Sequence, residues 1–152
     1  MRDLEEGRVY LQHLSLAHCD LEKKVRAAKD LLLQLIAEAS PNGRRETIAE
    51  RLADLLDELS DHFRKEESGG CLEMALTRVP RLADQVKKLE QQRPDLIEEL
   101  DEIAHSATRS DIGSTTTRFA RFSERLLAHE KAEARVMAEA FGTELEDAWN
   151  CD

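Results

Sequence analysis

Long runs in which apolar residues recur at alternating steps of three and four constrain this chain more than any other feature. Such spacing places the recurring residues on one face of an α-helix. The first run predicts a helix over about residues 7–39, with a single polar residue, His18, on its apolar face. Its recurring positions are Leu11, Leu14, His18, Leu21, Val25, Ala28, Leu32 and Leu35.

Two further runs each carry a histidine and a glutamate on the apolar face. His62 and Glu66 continue the stripe of one run, and His129 and Glu133 continue the stripe of the other. Residues four apart in a helix lie one above the other on the same side. Both His-x-x-x-Glu pairs are therefore expected to point into the protein.

The remaining run is looser and contains a proline. Gln85 lies on the shoulder of its stripe, and Pro94 removes a backbone N–H from the middle of the predicted helix. We therefore expect this third helix to be kinked or divided into two segments. Its apolar stripe consists of Leu82, Val86, Leu89, Leu96, Leu100 and Ile103.

Breaks rich in glycine, proline and small polar residues separate these runs, at residues 40–43, 68–70, 106–117 and 142–143. Besides the first helix, they leave helices at about residues 45–67 and 114–141, with the looser run between them. Short connections make neighbouring helices antiparallel. The sequence thus predicts an all-α fold, an antiparallel up-down-up-down four-helix bundle, as a single domain over residues 1–152.

Composition excludes several classes of partner. The chain has 22 Lys and Arg against 32 Asp and Glu, a net charge of -10 that repels nucleic acid and anionic membrane surfaces. We find neither a signal peptide nor an apolar run long enough to span a bilayer, so a cytoplasmic location is expected. Cys19, Cys71 and Cys151 form no C-x-x-C pair and are expected to be free thiols.

Six inward or shoulder residues are expected to converge because antiparallel packing brings them to similar heights. Buried together without a partner, such polar groups would be strongly destabilising, and a cation removes that cost. Mixed nitrogen and oxygen ligands favour iron over calcium, magnesium or structural zinc. The expected metal ligands are His18, His62, Glu66, Gln85, His129 and Glu133.

The lone His18, the pair His62 and Glu66, and the pair His129 and Glu133 together resemble the ligand pattern of the hemerythrin-like family of cation-binding bundles. The resemblance covers nearly the whole chain. It implies a non-haem iron site in which the two glutamates bridge two irons. One iron is held by imidazoles of helices one and two, and the other by imidazoles of helices three and four.

The departure from the family lies on helix three. Members of the family typically have a proline, a leucine and an acidic residue followed by histidine, whereas this chain has Pro80, Leu82, Asp84 and then Gln85. An amide oxygen is a much poorer iron ligand than imidazole. We therefore expect an intact first metal position and a degenerate second one, and thus a mono- or di-iron cofactor with low occupancy.

The resemblance implies a metal-binding or sensor protein rather than an enzyme, with a metal ion and a small diatomic ligand as partners. The ligands alone do not distinguish the binding or sensing of dioxygen, nitric oxide or iron. One alternative is a metal-free bundle with an interaction or signalling role, in which Arg81 or Lys88 neutralises the buried glutamates. Another is a histidine phosphotransfer domain, which the surroundings of His105 weakly resemble.

Overall fold

The computed structural model describes residues 2–36 and 44–142, and in the first helix it describes the side chains of Leu16 and of residues 18–34. All the regular structure in these ranges is helical. A 3₁₀ turn at Pro80–Leu82 joins the third and fourth helices. The helices are α1 (Arg2–Ile36), α2 (Arg45–Gly69), α3 (Cys71–Arg78), α4 (Ala83–Ser106) and α5 (Ile112–Phe141).

The four long helices form the predicted antiparallel bundle. Helix α1 packs against α2 and α5, and α4 packs against the same two helices from the opposite side. Each long helix therefore has two neighbours and a shared interior. The short helix α3, which the sequence pattern did not predict, packs mainly against α5. None of the described helices is long and apolar enough to cross a membrane.

Gly70 separates α2 from α3. Its φ of 63° is left-handed, and its N–H donates to the carbonyl oxygens of Glu66 and Glu67, both at 3.1 Å. Glycine adopts this conformation without the steric cost that a Cβ imposes. The predicted break at residues 68–70 is thus confirmed, and the chain turns at once into the buried start of α3.

The division of the third helix expected at Pro94 is wrong, because α4 continues from Ala83 through Pro94 to Ser106. Pro94 lies on the exposed side of the helix. There, water can satisfy the carbonyl that loses its N–H partner. The actual interruption lies earlier, where Val79 is extended and Pro80 begins the 3₁₀ turn.

The buried apolar side chains form two separate clusters. Cluster A fills one end of the bundle and is made of residues of α1, α2, α4 and α5. Cluster B fills the other end, between α3, the start of α4 and the end of α5. Along α4, cluster B ends at Leu89 and cluster A begins at Leu96, while along α5 cluster A ends at Leu126 and cluster B begins at Ala134. The chain between these limits holds the polar residues considered next.

Three sequence expectations fall on parts of the chain that the structure does not describe. The break at residues 40–43 and the thiol of Cys151 lie outside the described residues. The same is true of the side chains of Leu11, Leu14 and Leu35, at the two ends of the first apolar stripe.

Candidate metal centre

Seven buried ionisable side chains form a polar layer between the two apolar clusters. None is more than 6% exposed, and they come from all four long helices. Each contacts at least one other member of the layer, so they constitute one site. We use "polar layer" for His18, His62, Glu66, Arg93, His129, Glu130 and Glu133.

Glu130 lies at the centre of the layer, between two histidines on different helices. Its Oε2 is 2.8 Å from Nδ1 of His18, and its Oε1 is 3.6 Å from Nε2 of His62. One ligand atom from each of these three residues lies within 4.8 Å of the other two. This spacing suits three donors around a single cation, and we call His18, His62 and Glu130 the first ligand group.

A second ligand group consists of His129, Glu130 and Glu133, with Glu130 common to both groups. Nε2 of His129 lies 3.5 Å from Oε2 of Glu133. On the other side of the ring, Nδ1–H of His129 donates to Oε1 of Gln92 at 2.9 Å. Since the amide oxygen can only accept, Nε2 is the unprotonated nitrogen, and its lone pair faces the carboxylates.

Glu66 has a different partner. Its Oε2 accepts a hydrogen bond from Nη2 of Arg93 at 2.8 Å, while its Oε1 contacts Nε2 of His62. The Arg93 guanidinium also lies over the ring of Phe63, 5.9 Å from the centroid. A buried carboxylate is thus held between an imidazole and a guanidinium.

The contacts of His62 and Glu130 favour their charged forms. Burial alone would lower the pKa of His62, but hydrogen bonds to Glu130 and Glu66 outweigh it and raise this pKa to about 10. Burial would raise the pKa of Glu130, yet the hydrogen bonds to His18 and His62 hold it well below its usual range. Without a metal, His62 is therefore an imidazolium beside a carboxylate.

The pKa values of Glu133 and His129 are shifted in the directions that favour their neutral forms. Burial raises the pKa of Glu133 well above its ordinary value, and the charges of Glu66 and Glu130 raise it further. Burial likewise lowers the pKa of His129. A proton on Glu133 would let it donate to a neighbouring carboxylate, which two ionised carboxylates cannot do.

The donor atoms of the layer fit a bound cation. Neither oxygen of Glu133 accepts a well-formed hydrogen bond from any described residue, and the same holds for Nε2 of His129. Buried polar atoms are usually paired, and converging unpaired oxygens and nitrogens are the atoms that ligate first-row metals. The first ligand group and the second could each hold such an ion.

Five of the six residues singled out from the sequence meet in the polar layer: His18, His62, Glu66, His129 and Glu133. Gln85 does not, since its side chain is exposed. It lines a groove of about 710 Å³ between α4 and α5 that also reaches His129. The amide that contacts His129 belongs instead to Gln92, about two turns nearer the middle of α4.

Sequence reasoning missed Glu130, Gln92 and Arg93. In the metal-free alternative, Arg81 or Lys88 was to neutralise the buried glutamates, and neither side chain lies beside them. Arg81 pairs with Glu139 at the surface, 3.1 Å away, and Lys88 is exposed in the groove.

Cys19 and Cys71 lie outside both ligand groups. Cys71 is a buried free thiol whose Sγ donates weakly to the carbonyl oxygen of Glu66 at 4.0 Å. Burial raises its pKa to about 12, so it is protonated and a poor metal ligand. Cys19 is disulfide-bonded, and the expectation of a free thiol is wrong there.

Comparison with known proteins agrees with this geometry. The family described as Hemerythrin HHE cation binding domain matches residues 11–141, a range that contains the whole polar layer. No curated protein and no solved structure matches the chain.

Proposed function

The chain belongs to the hemerythrin HHE cation-binding domain family, and from this premise we propose that it binds one divalent first-row metal ion, iron by preference, in the polar layer. The observation that carries the proposal is the position of Glu130, whose carboxylate belongs to both ligand groups. We propose His18, His62 and Glu130 as the tighter group, with His129 and Glu133 completing the site.

The donor chemistry supports iron. The two ligand groups offer imidazole nitrogens and carboxylate oxygens and no thiolate, because the one buried thiol nearby, Cys71, is protonated. Calcium and magnesium prefer all-oxygen ligands, and structural zinc favours thiolates. When bound, iron would supply a redox-active Lewis acid able to take a small diatomic ligand such as dioxygen or nitric oxide.

Charge supports a single ion. Once its imidazoles are neutral and Glu133 has lost its proton, the layer contains three carboxylates and one guanidinium, which leaves two negative charges. One divalent ion neutralises them, whereas a second would leave two uncompensated positive charges in an apolar surrounding. This agrees with the expectation of one intact metal position and one degenerate position.

Metal analysis of protein purified anaerobically from iron-supplied cells tests the proposal, with an optical spectrum before and after exposure to air. We expect up to one equivalent of iron in the parent and none in His62→Ala. His105→Ala is the matched control, since His105 is 73% exposed and contacts only Asp101 among the described residues.

Two iron equivalents in the parent would contradict the single-ion proposal. Absence of metal would favour the alternative of a metal-free bundle. One observation supports that alternative: Arg93 and protonated His62 already balance Glu66 and Glu130.

A further inference from the structure

Arg93 is an unusual residue for the interior of a helical bundle. Its side chain is 4% exposed and projects from α4 at the level between Leu89 and Leu96, the last and first apolar residues of the two clusters. Arginine is rarely buried, because it stays charged at any pH the protein meets and must find a partner. Its partner here is Glu66, whose own side chain is completely buried.

The contact with Arg93 withdraws Glu66 from metal binding. One oxygen of Glu66 accepts from the guanidinium and the other contacts His62. Among the described residues, Glu66 belongs to neither ligand group, although it forms a His-x-x-x-Glu pair with His62. Glu133, the matching residue of α5, has no such hydrogen bond from Arg93, which donates to Glu66.

We infer that Arg93 sets the number of metal ions, because its guanidinium occupies the place beside Glu66 that a second cation would need. This inference rests on the proposed metal-binding function and adds a residue that limits it. A guanidinium and a divalent ion would compete for the same carboxylate oxygen and repel each other across a few ångströms of low dielectric. Unlike an imidazole, Arg93 cannot make room by losing a proton.

The stacking of Arg93 on Phe63 helps to fix the guanidinium in this place. The ring of Phe63 also packs edge-on against His129, with centroids 5.5 Å apart. Phe63 therefore lies between the arginine and an imidazole of the second ligand group. The arginine is held from two directions, by the aromatic face and by Glu66.

Counting metal equivalents in matched variants tests the inference. Arg93→Met keeps much of the apolar stem and removes the charge, so Glu66 becomes available as a ligand. With iron(II) or cobalt(II) added anaerobically, equilibrium dialysis should give one equivalent in the parent and two in Arg93→Met. The double variant Arg93→Met with Glu66→Gln lacks the released carboxylate and should return to one equivalent.

Arg125→Met is the matched control, because Arg125 forms its ion pair with Glu99 at the surface. It should bind one equivalent, as the parent does. Arg93→Met that is folded and binds no more metal than the parent overturns the inference. Two equivalents in the double variant also overturn it, since the second metal would then not depend on Glu66.

The two proposals fail in different ways. If the parent binds no metal and Arg93→Met binds one equivalent, the proposed function is wrong and the inference about Arg93 stands. If neither binds metal, both are wrong. Should Arg93→Met be unfolded without metal, refolding on addition of cobalt(II) with two equivalents supports the inference, and failure to refold at saturating cobalt(II) overturns it.

Discussion

Gln92 determines which nitrogen of His129 faces the polar layer. Its amide oxygen accepts from Nδ1–H at 2.9 Å, which leaves the Nε2 lone pair directed towards Glu133. Outer hydrogen bonds of this kind commonly change metal affinity by about tenfold to a hundredfold. We therefore expect Gln92→Leu to weaken metal binding by about that factor, measured by calorimetric titration with cobalt(II).

Gln91→Leu provides the comparison for Gln92→Leu. Gln91 is the neighbouring glutamine on α4 and is exposed, so its replacement should leave cobalt(II) affinity unchanged. Equal affinities in the parent and Gln92→Leu would show that the hydrogen bond to His129 does not orient a ligand. If cobalt(II) affinity fell by the same factor in Gln91→Leu and Gln92→Leu, the cause would be a general effect on α4 instead.

Two residues missed from the sequence can be recognised afterwards from their positions. Arg93 lies four residues after Leu89 and three before Leu96, which fills the gap in the apolar stripe of the third run. Glu130 lies four residues after Leu126 and three before Glu133. Neither residue belongs to a His-x-x-x-Glu pair, so each charge was taken as an interruption of its stripe and not as a buried group. Spacing alone does not distinguish a buried charged residue from an interruption of the apolar stripe.

Gln85 shows the opposite error at the scale of a single residue. The resemblance placed it where members of the family have a histidine, yet its side chain is exposed. Gln92, seven residues and roughly 10 Å further along α4, contacts His129. The position of a residue in a sequence motif does not establish whether its side chain reaches the polar layer. That depends on how far α4 is shifted along the neighbouring helices.

The turn at Gly70 positions α3 against the end of α5. A Cβ at this position would meet its nearest described atom, Oε2 of Glu73, only at 3.6 Å, so there is room for alanine. The φ of 63° is nevertheless unfavourable for any residue with a Cβ. We expect Gly70→Ala to lower the free energy of unfolding by about 1–2 kcal/mol, measured by urea denaturation.

Gly69→Ala is the matched control for Gly70→Ala, since Gly69 is the last residue of α2 and has no positive φ. Alanine there should leave the free energy of unfolding unchanged or raise it by a few tenths of a kcal/mol. Equal destabilisation by both substitutions would mean that the left-handed turn is not the source of the cost.

At the scale of helices, the sequence predicted which side of each long helix is buried. It predicted poorly how residues on different helices line up along the bundle axis. The three regular stripes identified α1, α2 and α5 and the side that each buries, because a period of 3.6 residues is a local property. Helix α3 was missed because residues 71–78 form too short a run to show a period. The stacking of clusters A and B above and below the polar layer depends on contacts between helices, which no single stripe contains.

Over the whole molecule, protons balance the buried charges when no metal does. His62 holds a proton because its pKa is raised to about 10, and Glu133 holds one because its pKa is also raised. In an unfolded chain His62 would titrate near 6.5 and Glu133 near 4.5. Between pH 6.5 and 10 the folded state thus binds more protons than the unfolded state. His129 and Glu130, whose pKa values are lowered, oppose this trend only at lower pH, around their unfolded values of 6.5 and 4.5.

The stability of the metal-free protein should consequently fall as the pH rises from 6.5 towards 10, the interval between the unfolded and folded pKa values of His62. Its imidazolium contributes fully below pH 6.5, and the contribution is lost as the pH passes 10. Urea denaturation of chelator-treated protein at a series of pH values should show a slope of at most about 1.4 kcal/mol per pH unit from this residue. In His62→Gln the slope should become much shallower over the same interval, whereas His105→Gln should retain it. A slope unchanged by His62→Gln would mean that His62 is not protonated in the polar layer.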